Sequence, residues 1–241
     1  MKIVIVDDYQ KMSIAAAVKV AAEIISRNKP VLGLATGSTP EGMYARLVKM
    51  HRESGLDFSN VVTFNLDEYA GLPPDHPQSY NHYMHRHLFN HVNIKPQNIH
   101  IPSCHDREVG EVCREYEHKI ASAGGIGLQV LGIGGNGHIG FNEPGGCLRT
   151  ETHLVDLAEE TITANSRFFQ SKEEAPRRAV TMGVGSIMHA QKLLLLASGE
   201  SKARAIKQTV SGEITTEVPA SLLQLHRDIT LLVDKEAASL L

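Results

Sequence analysis

Within the stretch GIGGNGHIGFNEP, residues 132–144, two side chains can carry protons, His138 and Glu143, five positions apart. The first six residues also spell G-x-G-x-x-G. A dinucleotide turn of that pattern opens a helix in the first βαβ unit, with an acidic residue about 20 positions on. Asp156 satisfies that count, but the segment lies past mid-chain and Pro144-Gly145-Gly146 forbids a helix behind it. The other reading is that the glycines let the backbone bend close to a ligand. His138 and Glu143 then project into a crevice as a general acid/base pair.

Three further places combine suitable residue types. In VVTFNLDEYAGL, residues 61–72, Asp67 and Glu68 directly follow a buried run. A carboxylate there is placed for proton abstraction, although a lone Asp in such a turn is commonly a cap. In LGLATGSTPEGMY, residues 32–44, an apolar run ends in a hydroxyl-rich turn, Gly37-Ser38-Thr39, just before a helix. Backbone N–H groups, hydroxyls and a helix N-terminus together suit a phosphate. An ordinary capped turn has the same composition, and no Gly-Lys-Ser/Thr follows to make a Walker A loop. Lys202 ends a Ser-Gly-Glu-Ser-Lys turn after another apolar run, which places a cation at the same crevice; Arg167 is unremarkable by pattern. The histidines 76, 82, 85, 87 and 91 lack H-e-x-x-H or Cys/His companions, so they read as a polar helix and no metal is expected.

These residues need a frame that brings strand ends together. Apolar runs at residues 2–6, 31–35, 61–66, 98–101, 128–133, 192–197 and 229–233 alternate with helical patterns. The helices fall at 11–26, 42–52, 79–91, 109–123 and 203–210, with a short terminal helix at 235–240 and a loop-rich middle to about 169. Strands separated by helices predict a mostly parallel sheet with helices on both faces, one Rossmann-like α/β domain over residues 1–241. Ligands of such sheets bind beyond the carboxyl ends of the strands, where the residues above fall.

Composition narrows the class. The chain has 241 residues, 42% apolar and 21% charged, with a net charge of −3. No Lys/Arg block or RNP-like aromatic motif appears, which argues against nucleic acid. No apolar run approaches the ~20 residues of a membrane span, and the start, MKIVIVDDYQ, is too short in apolar residues for a signal h-region. The three cysteines, Cys104, Cys113 and Cys147, are scattered without C-x-x-C spacing, as in a reducing compartment. A cytoplasmic protein is expected.

With ITANSRFF at 162–169 and SGESKA at 198–203, these motifs closely resemble the glucosamine-6-phosphate deaminase (isomerase) family, nearly end to end and in the same order. The resemblance implies conversion of glucosamine 6-phosphate and water to fructose 6-phosphate and ammonia, without a cofactor. It implies Asp67 as the base at C2, and His138, oriented by Glu143, as the proton carrier of ring opening. Gly37, Ser38, Thr39, Arg167 and Lys202 would hold the phosphate. Many members carry Asp where this chain has Asn136, so the group around His138 is expected to work with one carboxylate fewer. Allosterically activated members bind N-acetylglucosamine 6-phosphate through basic residues after FNEP and a longer tail. Here that stretch is GGCLRTETHLVDL, so a monomer or homo-oligomer with no such activation is expected. Segment 148–169 is the candidate to close over the sugar. A related sugar-phosphate lactonase needs no C2 base, and a sugar-phosphate-sensing domain needs no acid/base set.

Overall fold

The computed structural model describes residues 1–166, 169 and 174–241. Strand β1 (Lys2–Val6) leads through α1 (Tyr9–Ile25) to β2 (Val31–Leu34), and α2 (Glu41–Ser54) leads to β3 (Val62–Asn65). A three-residue strand, β4 (Asp67–Tyr69), follows at once, then α3 (Tyr80–His87), β5 (Ile99–His100), α4 (Val109–Ser122) and β6 (Leu128–Leu131). Beyond the 132–144 segment come β7 (His153–Asp156), α5 (Glu159–Ser166), β8 (Arg178–Thr181) and α6 (Val184–Met188). The last elements are β9 (Lys192–Ala197), α7 (Ala203–Thr209) and β10 (Ile229–Asp234).

Seven strands form one sheet in the order β1-β10-β9-β6-β2-β3-β5, every pair parallel. Because side chains alternate across a strand, Leu32 and Leu34 enter one core with Met12, Val20 and Leu47, while Val31 and Ala35 enter the other with Ile120 and Ile206. Helices α1, α2 and α3 therefore cover one face, and α4, α6 and α7 the other. A chain whose strands are buried on both sides must write them as continuous apolar runs, which is why they were easy to read. Helix α1 starts where Asp8 accepts from the Lys11 N–H at 2.8 Å. Helix α4 ends where Gly124 and Gly125 take φ of 88° and 81° and the Gly125 N–H reaches back to the Ile120 carbonyl.

Two expectations need correction. Residues 235–240 form hydrogen-bonded turns instead of a helix. Asp234 Oδ1 accepts from the Ala237 N–H, but later bonds, Ser239 to Glu236 and Leu241 to Ala238, span three residues, and the stretch is too short to propagate. The middle is also less loop-like than expected. β7 and β8 pair with β4 as a second, antiparallel sheet in the order β4-β8-β7, and α5 lies within the stretch proposed to cover the sugar. These strands are too short to announce themselves by period.

The residues leading into β7 pack backbone on backbone against the β8–α6 junction. A Cβ on Gly183, at the β8–α6 junction, would sit 2.4 Å from the Glu151 carbonyl oxygen and 2.5 Å from that of Thr150. Gly183→Ala is therefore expected to cost about 1–3 kcal/mol. A thermal melt should show a midpoint lower by roughly 5 °C.

Candidate active site

The strand order reverses between β2 and β6. From β2 the chain builds outward to β3 and β5, and from β6 it builds the opposite way to β9 and β10. The loops leaving β2 and β6 must diverge there and open a crevice. A cleft of about 420 Å³ lies at this place, lined by residues that include Thr36–Thr39, Asp67, Tyr80, Gly132–Asn136, His138, Thr161 and Lys202.

The 132–144 segment folds as a chain of tight turns. The Gly134 N–H donates to the His138 carbonyl and the Gly137 N–H to the Gly134 carbonyl, at 2.9 and 3.0 Å. A Cβ on Gly134 would fall 2.3–2.5 Å from the His138 ring, so this glycine lets the imidazole lie against the backbone. Gly140, at φ 56°, leaves room for Thr181 Oγ1 and lies beside Asp67 Oδ2. The glycines therefore serve turns and close approach, and no helix follows them, so the nucleotide reading falls.

Glu143 is the hub of the proton-bearing group. Its Oε2 accepts from Asn136 Nδ2 at 2.9 Å and lies 3.1 Å from His138 Nδ1, while Oε1 accepts from the Thr161 hydroxyl at 2.5 Å. Burial pushes this carboxyl up, but the hydrogen bond and charge of His138, with the Thr161 and Asn136 donors, outweigh it and hold the group below the usual carboxylate range. An ionised Glu143 takes the proton-bearing Nδ1 of a neutral imidazole, which leaves Nε2 as the acceptor.

Asn136 faces the carboxylate and the backbone of the turn. Its amide does not touch the imidazole's nitrogens; Nδ2 donates to Glu143 and Oδ1 accepts from the His138 backbone N–H at 3.2 Å. Only that orientation satisfies both neighbours. The side chain steadies the carboxylate and the turn, so it does not select the ring's tautomer directly.

Asp67 opens β4, opposite Thr181 of β8. It is 6% exposed, and among the described residues no donor reaches its carboxyl oxygens. Burial, reinforced by the Glu68 charge, lifts its pKa from 3.8 to about 8. The neighbouring Glu68 is also buried and raised by burial, yet it is fully engaged. It accepts the N–H groups of Tyr69 and Tyr80 at Oε1 and of Asn81 at Oε2, all at 2.9 Å, and so caps α3. The two adjacent carboxyls thus separate into one structural acceptor and one with its oxygens open to the cleft.

The Gly37–Thr39 turn lines the cleft ahead of the N-terminus of α2, whose cap, Pro40, offers no side-chain acceptor. Lys202 reaches the same cleft from the turn after β9. That turn is held from below by Asp234, which accepts from the Ser198 hydroxyl and from the Gly199 N–H. Arg167 lies outside the described residues. Of the histidines in and before α3, His85 pairs with Asn90 and His91 with the Arg86 carbonyl, and among the described residues no group of three or more His, Cys, Asp or Glu could hold a metal ion. Pattern reading missed Thr161 and Tyr80. Thr161 stands just before the ITANSRFF stretch, and Tyr80 was hidden in the histidine-rich helix; its ring stacks on Phe141 at 13°.

A parallel sheet with an anion-suited turn, an open buried carboxyl and a His–Glu pair at its switch point has the parts of an acid–base enzyme for a small anionic substrate. The family described as glucosamine-6-phosphate isomerases/6-phosphogluconolactonase matches residues 7–232, and the chain belongs to it. Glucosamine-6-phosphate deaminases of Thermoanaerobacter pseudethanolicus and Halothermothrix orenii are 58% and 57% identical over 241 residues, covering all of this chain and 95% and 100% of theirs. A solved structure described as a monomeric glucosamine-6-phosphate deaminase, 46% identical, superposes over the full length of both chains with a TM-score of 0.98. A 6-phosphogluconolactonase from Trypanosoma brucei shares the fold at a TM-score of 0.78 but only 20% identity, over 99% of this chain and 97% of its own.

Proposed function

We propose that this chain converts glucosamine 6-phosphate and water to fructose 6-phosphate and ammonia, and that Asp67 is the base that moves the C2 proton. The observation that carries the reading is the Asp67 carboxyl, buried at the cleft with its oxygens unengaged and its pKa lifted to about 8. A carboxylate poorly solvated in this way is a strong base for a carbon acid.

The reaction then divides between two groups. His138, with Nδ1 held by Glu143, takes the anomeric hydroxyl proton at Nε2 and passes it to the ring oxygen, and the pyranose opens to the aldehyde. Asp67 removes the C2 proton while the aldehyde oxygen takes a proton from the substrate's own ammonium group, giving an enolamine, and Asp67 then returns its proton to C1 on the same face. The resulting 2-imine adds water at C2 and loses ammonia, leaving the ketone of fructose 6-phosphate. Thr161 and Asn136 hold Glu143 in place throughout. Gly37–Thr39, Lys202 and Arg167 anchor the phosphate far from the reacting carbons and so fix C1 and C2 between the two groups.

Ammonia release from glucosamine 6-phosphate, with 6-phosphogluconolactone hydrolysis as the comparison, tests the reading. Turnover of the amino sugar with little lactonase activity is expected, and the reverse result sinks it. Lys202→Gln is expected to raise KM by about tenfold to a hundredfold with a smaller fall in kcat, because a charge-assisted contact to a remote group is lost. The monomeric relative and the stretch after FNEP, poor in basic residues, support a non-cooperative enzyme. Hyperbolic rate curves, unchanged by N-acetylglucosamine 6-phosphate, would be its signature.

A further inference from the structure

We propose that three tyrosines outside the reacting centre, Tyr9, Tyr44 and Tyr83, act as positioning residues that turn the peptide units of the 35–39 loop so that its N–H groups face the substrate phosphate. The proposal rests on the reading of Gly37–Thr39 as the phosphate turn.

The three hydroxyls come from three different helices and converge on three carbonyls of one short loop, those of Ala35, Gly37 and Ser38. Tyr44 Oη, on α2, donates to the Ala35 carbonyl at 2.5 Å. Tyr83 Oη, on α3, donates to the Gly37 carbonyl at 2.6 Å, and Tyr9 Oη, at the start of α1, donates to the Ser38 carbonyl at 3.1 Å. The role of Tyr9 is fixed further because its oxygen accepts from the Gly42 N–H at 2.8 Å, which leaves its proton for Ser38.

In a trans peptide the carbonyl of one residue and the N–H of the next point in opposite directions, and the chain has no cis bond. Holding the carbonyls of Ala35, Gly37 and Ser38 toward the helices therefore aims the N–H groups of Thr36, Ser38 and Thr39 the other way. That other side is the cleft, which Thr36, Gly37, Ser38 and Thr39 all line. Among the described residues, none of these three N–H groups donates a hydrogen bond within the protein.

The alternative orientation is not sterically forbidden in such a loop. Gly37 sits at φ 89°, where the backbone can flip a peptide with little resistance. A flipped unit would aim carbonyl oxygen at the phosphate and exchange attraction for repulsion. Tyrosine is suited to prevent this because it combines a stiff ring with a donor at its tip. Phenylalanine keeps the packing and removes only the donor.

Helix α3 adds a second consequence. Its N-terminal N–H groups are capped by Glu68, the neighbour of Asp67, and one turn later it presents Tyr83 to Gly37. One rigid element thus spans from the base strand to the phosphate turn.

Tyr83→Phe and Tyr9→Phe, both at half-buried rings, provide the test. Each is expected to raise KM for glucosamine 6-phosphate about tenfold and to raise the inhibition constant of inorganic phosphate by the same factor. kcat should stay within about twofold and the melting temperature should change little. A purely structural role would lower the melting temperature or kcat and leave phosphate inhibition alone, and that result overturns the proposal. So would unchanged KM and phosphate inhibition in both variants. Lys202→Gln and Ser38→Ala separate the two levels. If they weaken phosphate inhibition while the tyrosine variants do not, the clamp falls and the phosphate turn stands. If none of the four moves it, the phosphate turn falls with the clamp.

Discussion

Asp67→Asn should lose ammonia release, and exchange of the C2 proton with solvent, by about a thousandfold or more. Substrate binding should survive, because asparagine keeps the shape and the cleft keeps its phosphate anchors. Equilibrium binding of glucosamine 6-phosphate beside a deuterium-exchange measurement distinguishes this from collapse of the site. Undiminished exchange would remove Asp67 from the mechanism. The pH dependence has a definite sign. In the free enzyme the carboxyl ionises near pH 8 instead of 3.8. The base form grows as pH rises, so this group makes kcat/KM climb up to about pH 8 and contributes no further gain above it. The ammonium group of a bound amino sugar would favour ionisation, and kcat should therefore climb at lower pH than kcat/KM.

The same buried carboxyl makes a stability prediction. A folded-state pKa raised above the unfolded value gives stability that is fully present below pH 3.8 and is lost as the pH rises through about 8. Above that pH the fold holds a buried, unpartnered charge at a cost on the order of 5 kcal/mol at most. Asparagine cannot ionise, so Asp67→Asn should melt higher than the wild type at pH 9 and close to it at pH 4. An inactive variant that is more stable only at alkaline pH is hard to obtain unless the catalytic group is itself the strained one.

Glu143→Gln carries the second large effect. The carboxylate accepts three donors, the Thr161 hydroxyl at one oxygen and Asn136 Nδ2 and His138 Nδ1 at the other. An amide offers one oxygen and presents its own N–H groups on the other side, so at least one donor loses its acceptor. If the amide nitrogen turns toward His138, the ring is driven to the tautomer with its proton on Nε2, the wrong one for accepting the anomeric proton. A loss of about a hundredfold to a thousandfold in turnover of the cyclic substrate is expected. C2-proton exchange on sugar that has already opened should suffer less, since Asp67 is untouched. Steady-state rates compared with exchange rates separate the steps, and full activity on the cyclic sugar would dismiss Glu143 as the orienting group.

The legibility of this protein in its sequence was uneven for physical reasons. The central parallel strands were readable because burial on both faces writes mostly apolar runs, such as Leu193–Leu196 in β9. β4, β7 and β8 were not, because three or four residues carry no period and the β4–β8 pairing joins stretches more than 100 residues apart, such as Glu68 and Val180. Thr161 escaped notice because a threonine on a helix carries no chemical signal until a carboxylate from another loop lies against it. The contacts of Asn136 were not legible, since sequence spacing cannot tell whether an amide faces a ring or the carboxylate behind it.

By itself the sequence determined the parallel α/β frame, the strand ends that carry function, and the residue types available there, since each depends on local pattern and burial. Tertiary structure decided which of two adjacent carboxyls is free. Glu68 spends its oxygens on α3, whereas Asp67 turns into the cleft, and only tertiary packing makes that difference. It also decided that three tyrosines far apart in the chain would meet on one loop. Proton affinity and peptide orientation are set by neighbours in space, and the strand order of the sheet chooses those neighbours.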